Sequence, residues 1–321
     1  MGKAKKVLLC VFVVFAAIAA TFFAYSLIEG RSPQAIVIRQ AAKSHTITQT
    51  KYEESKQDST DKSSVEIPKR IKFARPMKEY RMDGMQVFEM ATADESKSII
   101  LYLHGGGYIH TFSKMHWKML AEISEATGCG IIAPNYPLLP KHTAREAHAL
   151  VLKLYRELLK RYPAHRIIIM GDSAGGGFSL ALAEEINDLS HPLPRQVILI
   201  SPWVDITGGD ESIEEYDTWL RCEPLRQYGL DWANNLNPHD PMVSPLYGNM
   251  KGLPSTDIFV GTWEIFYPDI IKCSEKLKEA GVSVSLHVGF QMGHVYPLYP
   301  APEGKKARKE IAEIINSVKL F

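Results

Sequence analysis

Arg166-Ile167-Ile168-Ile169-Met170-Gly171-Asp172-Ser173-Ala174-Gly175-Gly176-Gly177-Phe178 carries an apolar, β-branched run directly into a Gly-x-Ser-x-Gly pentapeptide. The continuation, Phe178-Ser179-Leu180-Ala181-Leu182-Ala183, has a helix-like pattern, so the serine falls between a predicted strand and a predicted helix. A strand-to-helix turn this tight forces the serine into a strained backbone conformation that only small neighbours tolerate. It also points the hydroxyl toward the helix N-terminus. Ser173 is therefore a candidate nucleophile. Gly-Asp-Ser also surrounds the nucleophile of chymotrypsin-like proteases, but there the histidine and aspartate precede the serine on an all-β fold. In this chain the remaining candidates follow it.

Working outward, apolar runs at 85–90, 98–103, 130–135, 166–171, 196–201, 256–261 and 283–289 read as strands. Helical patterns lie between several of them. The clearest covers 143–162, where Ala147, Leu150, Val151, Leu154 and Leu158 recur at helical spacing and Pro163 stops the run. A last helix starts near Glu303 and puts Ala307, Ile311, Ile314, Ile315 and Val318 on one face. Strands alternating with helices predict an α/β fold, a mostly parallel sheet covered on both sides. The alternation breaks at about 207–254, rich in Trp, Tyr, Pro, Asn and Gly, which reads as an inserted cap or as ordinary surface loop and helix.

Three further segments bear on chemistry. His104-Gly105-Gly106-Gly107 leaves the predicted strand with three residues lacking side chains, so backbone N–H groups can approach a substrate carbonyl. Preorganised donors of this kind stabilise the negative charge of acyl transfer by about 3 to 4 kcal/mol each. Glu264 follows the strand at 256–261, and His294 follows the strand at 283–289. The order Ser173, Glu264, His294 puts a nucleophile, an acid and a base each in a loop just after a strand. A neutral imidazole accepts the serine proton, and a carboxylate holds its tautomer and stabilises the imidazolium. Activity should then fall as pH drops below the ordinary histidine range, about 6.5. Asp269 is a fallback acid, and Asp205 reads as a turn or helix cap.

Together, His104-Gly105-Gly106-Gly107 and Gly171-Asp172-Ser173-Ala174-Gly175-Gly176 resemble the hormone-sensitive-lipase-like branch of α/β-hydrolase esterases. Pro134-Asn135-Tyr136-Pro137-Leu138, Ser201-Pro202-Trp203 and Gly293-His294 are shared too. The resemblance covers residues from about 67 to the C-terminus. It implies an α/β-hydrolase fold with a central sheet of about eight strands, helices on both faces and a small cap. It also implies a carboxylester substrate and no cofactor. The family's oxyanion donors carry over to the N–H groups of Gly106, Gly107 and Ala174, and its histidine to His294; His104 organises the loop. The family's acid is most often Asp followed by Pro-Leu, whereas Glu264 is followed by Ile265-Phe266. Glutamate serves this role elsewhere in the fold, and Glu264 falls at the family's position.

Lys+Arg number 37 against 36 Asp+Glu, for a net charge of +1 over 321 residues, with no basic block, which argues against a nucleic-acid partner. Lys3, Lys5 and Lys6 precede an apolar stretch from Val7 to Ile28, about 22 residues where a bilayer needs about 20. It reads as a membrane anchor, with a cleaved signal peptide as the alternative. The preceding lysines favour a cytoplasmic N-terminus and an extracellular or lumenal hydrolase domain, which Arg31 and Arg39 weaken; cleavage would give a secreted protein. Cys10, Cys129, Cys222 and Cys273 form no metal-ligand pattern and leave one disulfide open. The expected organisation is an anchor or signal at 1–30 and a polar linker or loosely packed cap element at 31–66. A hydrolase domain at 67–321 follows, with its cap at about 207–254. The expected function is a serine carboxylesterase or deacetylase acting on a small, lipophilic acyl ester. An amide or N-acetyl hydrolase, a protease and a non-catalytic binding protein are the alternatives, and the oligomeric state is open.

Overall fold

The structure, a computed structural model, describes residues 3–58 and 60–317. Its elements are α1 (Lys3–Glu29), α2 (Pro33–Ala42), α3 (Gln49–Gln57), β1 (Met77–Met82), β2 (Met85–Met90), β3 (Ile99–Leu103), α4 (Lys114–Thr127) and β4 (Gly130–Asn135). Then follow α5 (Ala144–Leu159), β5 (Ile167–Asp172), α6 (Ser173–Asp188), β6 (Gln196–Ile200), α7 (Cys222–Ala233), β7 (Ser255–Gly261), α8 (Tyr267–Glu279), β8 (Val284–Gly289) and α9 (Pro302–Ser317). The eight strands form one sheet in the order β1-β2-β4-β3-β5-β6-β7-β8. Pairing is antiparallel at β1–β2 and β2–β4 and parallel from β4 to β8.

The sheet is apolar on both faces because helices cover both. Along β5, Ile167 and Ile169 join one core with Leu154 of α5, Leu180 of α6 and Ile270 of α8. Ile168 and Met170 point the other way, toward Trp117 of α4 and Ile311 of α9. Alternation across the pleat explains why a buried parallel strand reads as an unbroken apolar run. Seven strands lie where the apolar runs predict them, within a residue or two. β1 was not among them. Its sequence, Met-Lys-Glu-Tyr-Arg-Met, leaves Lys78, Glu79 and Arg81 exposed, as suits an edge strand.

The segment read as a polar linker or loosely packed cap element contains α3. Tyr52 of α3 is buried, its ring edge-on to Tyr228 of α7 at 5.0 Å, and Ser55 Oγ and Tyr228 Oη are 2.6 Å apart. In α9, Ala307, Ile311 and Ile315 are buried as expected, whereas Val318 lies outside the described residues. Within α1, Cys10–Glu29 has mean hydropathy 2.4 and is 6% buried, long and apolar enough to cross a membrane; a signal sequence meets the same test. All four cysteines are free thiols.

Candidate active site

The carboxyl ends of β5, β7 and β8 bring the three predicted groups to one place. Ser173 begins α6 with φ +52°, the left-handed region that a non-glycine residue enters at about 1 to 3 kcal/mol. Its half-buried Oγ is 2.8 Å from His294 Nε2, and His294 Nδ1 is 2.7 Å from Glu264 Oε2. Glu264 is wholly buried, where an unpaired carboxylate would be expensive. Its other oxygen accepts from the Gly261 N–H at 2.6 Å and the Ser201 hydroxyl at 2.9 Å. Ser201 Oγ in turn accepts from the Val295 N–H at 3.0 Å, tying the acid's support to the histidine loop.

The other carboxylates lie elsewhere. Asp269 accepts from the Gly209 N–H at 2.8 Å, and burial raises its carboxyl above the ordinary range. Asp205 accepts from the Thr207 N–H at 2.8 Å and the Tyr247 hydroxyl at 2.7 Å, as its turn-cap reading anticipates.

The glycine turn reaches the serine from β3. Gly106 has φ +124°, and a Cβ there would sit 2.7 Å from the His110 carbonyl oxygen, so only glycine fits. Gly175, in the first turn of α6, passes against the Leu103 and His104 carbonyls, so the helix start and the glycine turn interlock. Among the described residues, the N–H groups of Gly106, Gly107 and Ala174 form no hydrogen bond. His104 is fully buried, stacked on Tyr136 at 4.4 Å, with its Nδ1 2.8 Å from the Gly105 carbonyl. Burial, reinforced by His116, lowers its imidazole to about 3, which keeps it neutral.

Sequence reading missed the residue that joins the two motifs. Asp172 is buried, and its Oδ1 accepts from the Tyr102 hydroxyl and from the Gly105 N–H at 3.0 Å. Its Oδ2 is 3.3 Å from His116 Nε2. Burial alone would raise this carboxyl; His116, Tyr102 and Gly105 together hold it below the ordinary range. His116 is aimed by the start of α4, where its Nδ1 accepts from the Ser113 N–H at 2.9 Å. That assigns the proton to Nε2, facing Asp172. Asp217 was missed as well. It accepts from the N–H groups of Trp219 at 2.8 Å and of Leu220 and Ile265 at 3.0 Å, linking the segment between β6 and β7 to the residue after Glu264. Burial pushes its carboxyl up to about 6, against the opposing pull of His294 and these donors.

The aromatic residues of 207–254 are mainly packed. Trp232 is fully buried and lies flat on Tyr108 at 4.3 Å, and Trp219 donates to the Tyr299 hydroxyl at 2.8 Å. Tyr228 is the exception in position, since its ring edge would be 3.9 Å from a Cβ on Gly107. No cluster of three or more His, Cys, Asp or Glu able to hold a metal occurs among the described residues.

A family model described as alpha/beta hydrolase fold matches residues 100–298. An esterase of Acinetobacter venetianus is 31% identical over 248 residues, 75% of this chain and 82% of that one. An acetyl-hydrolase of Streptomyces hygroscopicus is 28% identical over 257 residues, 75% of this chain and 86% of that one. The crystal structure of an esterase from the bacterial hormone-sensitive lipase family superposes with a TM-score of 0.76 at 26% identity, covering 89% of this chain and 98% of that one.

Proposed function

The chain belongs to the α/β-hydrolase family and is a carboxylic ester hydrolase, and from that premise we propose a membrane-tethered serine esterase working through Ser173, His294 and Glu264. The observation that carries the reading is the unbroken line from Ser173 Oγ through His294, 2.8 Å and then 2.7 Å, to a fully buried carboxylate. Ser173 attacks the acyl carbonyl as His294 Nε2 takes its proton. Glu264 holds the Nδ1–H tautomer and stabilises the imidazolium. Charge developing on the carbonyl oxygen falls to the N–H groups of Gly106, Gly107 and Ala174. His294 then returns the proton to the leaving alcohol, and water activated by the same imidazole releases the acyl group from Ser173.

Segment 207–254 acts as the cap, and Tyr228 beside Gly107 supplies an apolar wall next to the oxyanion donors, in keeping with a lipophilic acyl ester. Helix α1 is the tether, by its length and apolarity. Hydrolysis of p-nitrophenyl esters of increasing acyl length, with Ser173→Ala as the blank, tests the assignment. Serine-dependent turnover is expected to drop by at least about 10³ in Ser173→Ala, and the chain-length optimum sizes the acyl pocket. Equal rates in the two proteins across the series would reject Ser173 as the nucleophile for esters.

A further inference from the structure

The turn between α1 and α2 gathers two guanidinium groups on one indole. Arg31 and Arg39 place their guanidinium carbons 4.3 and 4.4 Å from the centroid of Trp263, the residue before Glu264. Arg31, its side chain 3% exposed, is paired with Glu29 at 2.7 Å. Arg39 has a 3.4 Å contact from Nη2 to the Tyr216 carbonyl, and the Nε groups of both arginines are buried without a partner among the described residues. Burial lowers the Arg39 pKa, and the like charge of Arg31 lowers it further. Arg31 is thus paired with a carboxylate, whereas among the described residues none lies within ion-pair distance of Arg39, which feels Glu29 and Asp217 only from further off, an arrangement that an anion with several acceptor oxygens would complete.

Next to them is a cleft of about 600 Å³, lined by Phe22 and Tyr25 of α1 and by Ile36, Val37 and Arg39 of α2. One wall is apolar and the other cationic, which matches an amphiphile better than a free ion. The height is also right. The apolar window of α1 ends at Glu29, and the chain turns there, the Arg31 N–H bonding back to the Ser26 carbonyl at 3.1 Å, so Arg31 sits at the end of the apolar span, at headgroup level if α1 spans a bilayer. We infer that the Arg31–Arg39 cleft binds the phosphate of an anionic glycerophospholipid, with the lipid tail against Phe22, Ile36 and Val37. Inorganic phosphate offers the same oxygens but leaves that apolar wall bare. The inference rests on α1 being retained as the tether.

The full-length chain is reconstituted in phosphatidylcholine nanodiscs carrying graded amounts of phosphatidylglycerol, and retained lipid is counted by native mass spectrometry. One phosphatidylglycerol is expected to be retained about tenfold better than phosphatidylcholine, with the preference lost in Arg39→Gln and recovered in Arg39→Lys. Helix α2 is fixed independently by the Ser32 N–H and hydroxyl on Glu303, at 2.5 and 2.7 Å, so Arg39→Gln leaves it docked. Ester turnover monitors the fold of each variant. Equal retention of the two lipids by the wild type, or an undiminished preference in Arg39→Gln, overturns the site. Displacement of the lipid by millimolar inorganic phosphate reassigns the arginines to a free anion and overturns the lipid. Failure of the chain to enter nanodiscs refutes the tether itself, and is seen before any lipid is counted.

Discussion

In Glu264→Gln a side chain that accepted three hydrogen bonds keeps only one acceptor oxygen. On one side stand two donors, the Gly261 N–H at 2.6 Å and the Ser201 hydroxyl at 2.9 Å; on the other is His294 Nδ1 at 2.7 Å. The backbone donor is fixed, so the amide oxygen takes its side and the NH₂ group turns toward Nδ1. The imidazole must then accept at Nδ1 and carry its proton on Nε2, the tautomer unable to take the proton of Ser173. No water can repair the mismatch, because the side chain is wholly buried. The equivalent carboxylate-to-amide change in a Ser-His-Asp triad lowers kcat about 10⁴-fold, or about 5.5 kcal/mol of transition-state stabilisation. The loss should fall on kcat and leave KM nearly unchanged, since the ester does not touch residue 264. Steady-state p-nitrophenyl ester kinetics read the two constants, fluorophosphonate labelling of Ser173 reads the nucleophile, and a thermal melt checks the fold. A folded Glu264→Gln enzyme within tenfold of wild-type kcat would refute the role given to this carboxylate.

Two further expectations concern backbone and burial. Gly106→Ala puts a Cβ 2.7 Å from the His110 carbonyl at φ +124°, so the glycine turn must shift; kcat should fall about 10² to 10³-fold, and unchanged kcat would remove this turn from the oxyanion site. Glu184 is buried with both carboxylate oxygens unpartnered among the described residues, and burial pushes its carboxyl from 4.5 up to about 9. The folded chain therefore keeps a proton that the unfolded chain releases. The stability this group contributes is present below about 4.5 and is lost as pH climbs toward about 9. Glu184→Gln removes that slope and should stabilise the protein by about 3 kcal/mol at neutral pH, measured by denaturant unfolding across the interval. A constant difference between the two proteins at every pH would contradict it.

Local pattern made most of this fold readable, because each parallel strand is buried on both faces and each loop that carries a residue of the proposed triad begins where an apolar run stops. Ser173, Glu264 and His294 could be found for that reason. Charged side chains hid β1, since an edge strand needs only one covered face. Helix α3 was hidden by its polarity: Tyr52 alone among its residues is buried, and the aromatic partner it meets is in α7. Asp172, Ser201 and Asp217 were illegible for another reason. Their partners lie 70, 63 and 48 residues away, at Tyr102, Glu264 and Ile265, and no local spacing announces such contacts.

Asp172 occupies the freely variable second position of the serine pentapeptide, yet it bonds to Tyr102 of β3 and Gly105 of the glycine turn and faces His116 at the start of α4. The two signatures are thus one heritable unit. A chimera that imports a foreign pentapeptide without a matching tyrosine and histidine would inherit a serine out of alignment with the glycine turn, even though both motifs were intact on paper. Exchange between relatives, by recombination or by design, should succeed when positions 102, 105, 116 and 172 travel together.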